Sequence, residues 1–211
     1  MADLYLVHWP VKLNPGAVNL LPSEGDFDEL DLETTWFGME KSLEMGLCRC
    51  IGVSNFSSKK IQQLVHFASV PPVVNQVEMH RMWRQRKLRE VCQKHDIHVS
   101  AYSPLGAPGN FWGSNAVLDH PTLKSIARKH NATSAQFALA WGLAEGSIVI
   151  VKSFDQRRMK ENIAALQLTL DDSDILKVQN IEEQKMMREE VFVNEKTSPY
   201  KTVQDLWNDE I

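Results

Sequence analysis

Short β-branched or apolar runs alternate five times with longer amphipathic stretches, and that alternation predicts βα units around a parallel sheet. The runs are Leu4 to His8, Cys50 to Val53, Val73 to Gln76, His98 to Tyr102 and Ile148 to Val151. A polar loop from Val11 to Leu30, containing Pro15, Gly16, Pro22 and Gly25, follows the first run. Asp31 then reads as the N-cap of a helix that carries Trp36, Met39 and Leu43 and ends at a turn on Gly46. Ser57 opens a second helix, in which Ile61, Leu64, Val65 and Ala68 recur at i, i+3, i+4 and i+7 on one apolar face. Helical patterns also cover Gln85 to Lys94 and Arg157 to Leu166, with a last short helix near Asp172. Thr133 with Gln136 forms a capping-box signature ahead of Phe137, Ala140, Trp141 and Ala144. Lys185 to Asn208, charged and with scattered aromatic residues, reads as an extended tail over the domain.

Five βα units fit either an open doubly wound sheet or part of a (β/α)8 barrel. Two features favour the barrel. No G-x-G-x-x-G or G-x-x-x-x-G-K-[ST] follows a strand. Every strand also ends in polar residues, namely His8, Ser54 with Asn55, Gln76, Tyr102 with Ser103, and Lys152 with Ser153, and barrel enzymes assemble their sites at those ends.

Charge and composition exclude several classes. With 23 basic and 27 acidic residues the net charge is -4, which removes the electrostatic basis for nucleic-acid binding. The longest apolar stretches fall far short of the roughly 20 residues of a membrane helix, and the N-terminus lacks a signal peptide's basic start. A cytoplasmic protein with no membrane partner is the expectation. Cys48, Cys50 and Cys92 match neither a zinc site nor a disulfide framework, and read as reduced thiols. His66, His80, His95, His98, His120 and His130 lack ligand spacing and read as surface or capping residues, so no metal is expected.

The strand-end residues form a chemically coherent set. An aromatic ring such as Tyr102 can stack on a flat heterocycle, Ser54, Asn55 and Gln76 can hydrogen-bond an amide on it, and Lys152 with Arg158 can hold a phosphate. Those are the demands of a nicotinamide dinucleotide.

The runs Asp-Leu-Tyr-Leu-Val-His-Trp-Pro (3–10), Gly-Val-Ser-Asn-Phe (52–56), Asn-Gln-Val-Glu (75–78), Ala-Tyr-Ser-Pro-Leu-Gly (101–106) and Val-Lys-Ser-Phe (151–154), with Arg158, Glu161 and Asn162, resemble the aldo-keto reductase family. The longer loops and the tail, especially residues 200–207, look most similar to its plant branch, which holds deoxymugineic acid synthases, codeinone reductases and chalcone reductases. The resemblance implies an incomplete (β/α)8 TIM barrel, units four to eight plus the C-terminal tail, forming one partial domain over residues 1–211. It further implies NADPH-dependent reduction of a small-molecule aldehyde or ketone to an alcohol.

By the same resemblance His8 is the active-site histidine beside the substrate carbonyl, and Trp9 lines the substrate pocket. Trp112 and Trp207, in a loop and the tail, either cover the barrel or join that pocket, and their loop location adds weight to the pocket. Ser54, Asn55 and Gln76 match carboxamide positions, Tyr102 the ring that stacks on nicotinamide, and Ser103 and Leu105 contacts toward the pyrophosphate. Lys152, Ser153 and Arg158, with Phe154 in the same run, match the 2′-phosphate positions that favour NADPH over NADH. Glu161 and Asn162 match adenine contacts. Ala107 departs from the family pattern, which often has serine there.

In the family a catalytic tyrosine, with lysine and aspartate partners, precedes the histidine strand, and this sequence begins at that strand. Tyr5, three residues from His8, is expected on the opposite strand face. A positioned general acid contributes about 10²- to 10⁴-fold, so the expectation is a truncated form with crippled carbonyl reduction and open edges on its first and last strands. The competing expectation is a non-catalytic NADPH-binding or regulatory subunit.

Overall fold

The computed structural model describes residues 1–17, 22–23 and 25–211; Val18 to Leu21 and Glu24, all within the expected polar loop, lie outside the described residues. In chain order the elements are β1 (Ala2–Val7), β2 (Lys12–Leu13), β3 (Phe27–Asp28), α1 (Leu32–Glu44), β4 (Cys48–Ser54), α2 (Ser58–Phe67), β5 (Val74–Glu78) and α3 (Arg86–Lys94). They continue with β6 (His98–Tyr102), α4 (Ala116–Asp119), α5 (Pro121–Lys129), α6 (Ser134–Ala144), β7 (Ile148–Val149), α7 (Gln156–Ala164), α8 (Asp172–Gln179) and α9 (Val203–Trp207). Two compact units result: Met1–Gln76, Arg86–His98 and Arg188–Ile211 form the first, and Val77–Gln85 and Val99–Met187 the second.

In the first unit β1 runs parallel to β4, with Leu4 opposite Cys50 and Val7 opposite Val53, and β4 runs parallel to β5, with Val53 opposite Asn75 and Ser54 opposite Gln76. Ile51, Val53 and Phe56 are buried because β4 is covered on both faces. Both helix caps expected from sequence are formed: Asp31 accepts from the Thr34 N–H at 2.9 Å and Ser57 from the Lys60 N–H at 3.3 Å. The apolar faces behind those caps bury Trp36 and Met39 on α1 and Ile61 and Leu64 on α2. The Trp36 indole nitrogen donates to the Val70 carbonyl at 3.0 Å, so the buried ring keeps no orphaned donor.

Gly52 shows why β4 needs a residue without a side chain. A Cβ there would lie 2.7 Å from the Val74 carbonyl oxygen and 2.9 Å from Leu6 Cδ2, wedged between the two neighbouring strands. Gly52→Ala is therefore expected to destabilise the fold by about 1–3 kcal/mol, the usual range for overpacking a core. Urea denaturation checks this, and a change within error would show that the strands give way freely.

Two first-unit readings need correction. The loop from Val11 to Leu30 contains the antiparallel pair β2–β3, closed by a Lys12–Asp28 ion pair at 2.6 Å; strands of two residues carry no readable alternation. The tail is not wholly extended, since residues 203–207 form α9 with a Thr202–Asp205 capping box, a signal that the density of charge concealed.

In the second unit β6 runs parallel to β7, with Ser100 opposite Ile148 and Ala101 opposite Val149. The strand expected through Val151 stops at Val149. Val117, Leu123, Ile126, Ala127, Phe137, Ala138, Val178 and Ile181 form the core here, contributed by α4, α5, α6, α8 and the turn after α8. Helix α6 is buried along residues 137–142, apolar nearly all round as an interior helix must be. Its Thr133–Gln136 capping box is made in both directions, at 3.1 and 2.9 Å.

Among the described residues β1 pairs only with β4, and β7 only with β6. Leu4 and Tyr5 are 42% and 50% exposed on β1.

Candidate functional site

The ends of β1, β4 and β5 are tied together by one asparagine and one serine. Asn55 sits in the left-handed region at φ 63°, a conformation that asparagine tolerates better than most residues. That twist lets its Nδ2 donate to the His8 carbonyl at 3.0 Å and to Ser54 Oγ at 3.1 Å, while its backbone N–H donates to the Gln76 carbonyl at 2.9 Å. Ser54 Oγ donates to the same Gln76 carbonyl at 2.8 Å. Buried Asn75 clamps the following turn, accepting from the Phe56 N–H and donating to the Phe56 carbonyl. Three separate sequence motifs thus meet at one place. The Gln76 side-chain amide, half-buried, has no hydrogen-bond partner among the described residues and is left with both donor and acceptor capacity.

His8 is exposed just past β1, with its ring centroid 6.1 Å from that of Trp9. Trp9 in turn packs against Phe192 at 5.1 Å and edge-on against Trp207 at 5.8 Å. Trp207 lies in α9, not in a loop, is 3% exposed, and donates its indole N–H to the Arg188 carbonyl at 2.9 Å. The structure therefore brings His8, Trp9 and Trp207 into one neighbourhood and adds Phe192, which sequence reasoning did not single out.

In the second unit Tyr102 ends β6, half-buried, and its carbonyl accepts from the Met79 N–H. The chain after it is wound tightly. Ser103 and Ala107 adopt φ 51° and 52°, and a Cβ on Gly113 would fall 1.9 Å from the Ala107 carbonyl oxygen, so only glycine fits there. Leu105 packs its side chain on the apolar core of this unit, and Trp112 is half-buried in the turn that precedes Gly113.

Past β7, Asp155 caps α7 by accepting from the Arg158 N–H at 2.9 Å, and this backbone hydrogen bond holds its carboxyl below the usual range. Ser153 Oγ accepts from the Asp155 N–H at 3.1 Å. The Lys152 ammonium lies 3.8 Å over the exposed Phe154 ring. Glu161 pairs with Arg157 at 3.3 Å, one turn before it, and Asn162 follows on the same helix. Among the described residues neither Lys152 nor the Arg158 guanidinium makes an ion pair, although the Arg158 charge also helps hold Asp155 low, so two exposed cations on one segment can meet an outside anion.

Buried charged or ionisable groups, His80, Arg81 and Lys60 among them, escaped the sequence reading. His80, expected at the surface, is buried, and its Nε2 donates to Glu78 Oε1 at 2.9 Å while Nδ1 accepts from the Met82 N–H. Glu78 also accepts from the Met186 and Met187 N–H groups. Arg81 is stacked 4.3 Å from the Trp141 ring and 5.2 Å from that of Phe137. Lys60 is buried on α2. A glutamate two residues before a histidine across a strand end was the one legible hint.

Of the other histidines, His120 caps α5, as expected, by accepting from the Thr122 N–H. His130 meets Asp174 at 2.5 Å, and with Asp171 they offer ligand atoms within 4.8 Å of one another. Lys129 already hydrogen-bonds both carboxylates, holding Asp171 well below its usual range, so the group staples the end of α5 to the start of α8. No helix among the described residues is long and apolar enough to cross a membrane.

Two solved structures match this fold closely. An aldo-keto reductase from Bombyx mori in complex with NADP superposes with a TM-score of 0.80 at 29% identity, covering 95% of this chain and 63% of that one. Aldose reductase from Giardia lamblia gives 0.81 at 31%, covering 88% and 64%. The fold is α/β, a (β/α)8 barrel of the aldo-keto reductase type of which this chain supplies a part. The sequence profile of the Aldo/keto reductase family matches residues 1–183, and the chain belongs to that family. Among curated relatives it is similar to deoxymugineic acid synthase 1 from Oryza sativa subsp. japonica, 43% identical over 209 residues. It is equally similar to aldo-keto reductase family 4 member C11 from Arabidopsis thaliana, at 44%. The alignments cover 99% of this chain but only 65% and 66% of those relatives, so the chain spans just under two thirds of their length.

Proposed function

We propose that residues 1–211 form one partial oxidoreductase domain for NADPH-dependent reduction of a small-molecule aldehyde or ketone to an alcohol. The observation that carries this reading is the pair of exposed cations, Lys152 and Arg158, on the segment that opens α7, neither of which makes an ion pair among the described residues. Taken unit by unit, the Ser54–Asn55–Gln76 cluster behind His8 suits a carboxamide, and the two cations suit a phosphate, both groups that a phosphorylated nicotinamide dinucleotide carries. When bound, NADPH supplies the hydride.

Each residue then has a role. Gln76, with Ser54 and Asn55, holds the carboxamide, and the Tyr102 ring stacks on the nicotinamide. Ser103 and Leu105 contribute toward the pyrophosphate. Lys152, Ser153 and Arg158 hold the 2′-phosphate, with Phe154 beside Lys152, and Glu161 and Asn162 contact the adenine. His8 orients the carbonyl oxygen of a substrate bounded in the first unit by Trp9 and Trp207, and Trp112 is the substrate-binding residue proposed for the second.

Fluorescence titration of the purified chain tests the reading. Saturable NADPH binding is expected, and Lys152→Ala or Arg158→Ala should each weaken it about 10- to 100-fold, since a hydrogen bond to a charged group contributes about 1.5–3 kcal/mol. NADH, lacking the phosphate, should respond to neither substitution. Equal affinities for the two cofactors would overturn the assignment of these residues.

A further inference from the structure

One buried cation fastens the end of the chain. Lys60 on α2 is 7% exposed, and its Nζ donates to the Leu206 carbonyl at 2.6 Å and to Asn208 Oδ1 at 2.8 Å, while lying 5.0 Å over the Tyr200 ring. The start of the same helix adds to the grip: Ser57 Oγ donates to Asn208 Oδ1 at 2.6 Å, and the Ser58 N–H donates to Glu210 Oε2 at 2.9 Å. Lys87 on α3 pairs with Glu210 at 3.0 Å. Asn208 ends α9 in the left-handed region, at φ 53°.

A lysine on a surface helix ordinarily carries its ammonium out to water. Burying one is unfavourable unless hydrogen bonds compensate, and here burial pulls Lys60 down to about 8 against the opposing pull of Glu210 and Asp205. The groups it fastens lead straight to Trp9. Helix α9, which has only five residues, carries Trp207 edge-on against Trp9, and the Tyr200 hydroxyl donates to the Pro10 carbonyl at 2.6 Å. The cation and the aromatic wall therefore act on the same short helix.

We infer that Lys60 is a positioning residue for substrate selection: by holding α9 it fixes Trp207 against Trp9 and sets the aromatic wall beside His8, favouring aromatic carbonyl compounds over small aliphatic ones. This rests on the reading of Trp9 and Trp207 as substrate-pocket residues. Lys60 itself touches no substrate. It acts through the Leu206 carbonyl and the Asn208 side chain.

Hydrogen exchange of the whole chain tests the fastening directly. In Lys60→Met, amides of residues 203–207 should exchange at least tenfold faster than in the wild type, while those of β4 stay protected. Asn208→Gly, which keeps the left-handed turn but removes the acceptor, should act in the same direction without altering α2. The second measurement is binding of 2-naphthaldehyde and propanal in the presence of NADP, read by tryptophan fluorescence. The preference for naphthaldehyde should fall at least fivefold in Lys60→Met and return in Lys60→Arg, which keeps the charge and the donors. Unchanged exchange in both variants overturns the inference, as does faster exchange with an unchanged preference. If the wild type binds neither aldehyde, the proposed function fails and the selectivity role falls with it, while the exchange result still decides whether Lys60 fastens the tail.

Discussion

Glu78→Ala is expected to lower the unfolding free energy by about 3–5 kcal/mol, because three donors lose their acceptor at about 1–3 kcal/mol each. The side chain is 1% exposed and accepts three hydrogen bonds at 2.9 Å, from His80 Nε2 and from the Met186 and Met187 backbone N–H groups. Truncation leaves two buried donors and the half-buried Met186 N–H without an acceptor, and each fully buried one is unfavourable by about 1–3 kcal/mol when nothing relaxes. Glu78→Gln keeps one acceptor oxygen and should lose less, about 1–3 kcal/mol. Urea denaturation measures both, and a loss below about 1 kcal/mol in Glu78→Ala would show that the anchor is dispensable.

The same carboxylate has a pH signature. Burial alone would raise its pKa, but the hydrogen bond from His80, the charge of Lys185 and the Met187 N–H outweigh it and hold the group below its usual 4.5. A carboxyl depressed in the folded state contributes stability that is complete above the unfolded value and lost as pH falls through the folded one. Wild-type stability should therefore drop as pH falls from about 4.5, and Glu78→Gln should flatten that part of the profile.

What could be read beforehand was what repeats or what caps. Asp31, Ser57 and the Thr133–Gln136 box opened their helices where expected, because capping is local and needs no knowledge of the fold. The parallel order of the strands followed from the βα alternation. Residues whose role depends on distant partners were illegible. His80 looked like any surface histidine until Glu78 and the Met82 N–H were seen around it. Lys60 differs from neighbouring Lys59 only in facing Leu206 and Asn208, which lie nearly 150 positions away. The cluster of His8, Ser54, Asn55 and Gln76 was anticipated as a set, yet its geometry depends on the left-handed turn at Asn55, which composition does not disclose.

Carbonyl reduction by the 211-residue chain should run about 10²- to 10⁴-fold below that of a full-length relative given the same aldehyde and NADPH, the loss associated with a missing positioned acid. Hydride delivery leaves an alkoxide that needs a proton, and a phenol is suited to give one only if it is near the oxygen and not weakened as an acid. Tyr200 fails the second condition: its hydroxyl is committed to the Pro10 carbonyl and burial pushes its pKa up to about 12. Tyr5 lies on β1 three positions from His8, on the alternate face of the strand. Tyr102 is the residue proposed to stack on the nicotinamide. Steady-state oxidation of NADPH, measured beside the binding titration, separates a chain that binds but turns over slowly from one that does not bind. A rate matching the relative's would mean that the acid is inside these 211 residues, and Tyr200→Phe would then be the first variant to assay, since its hydroxyl lies two residues along the chain from His8 through Pro10.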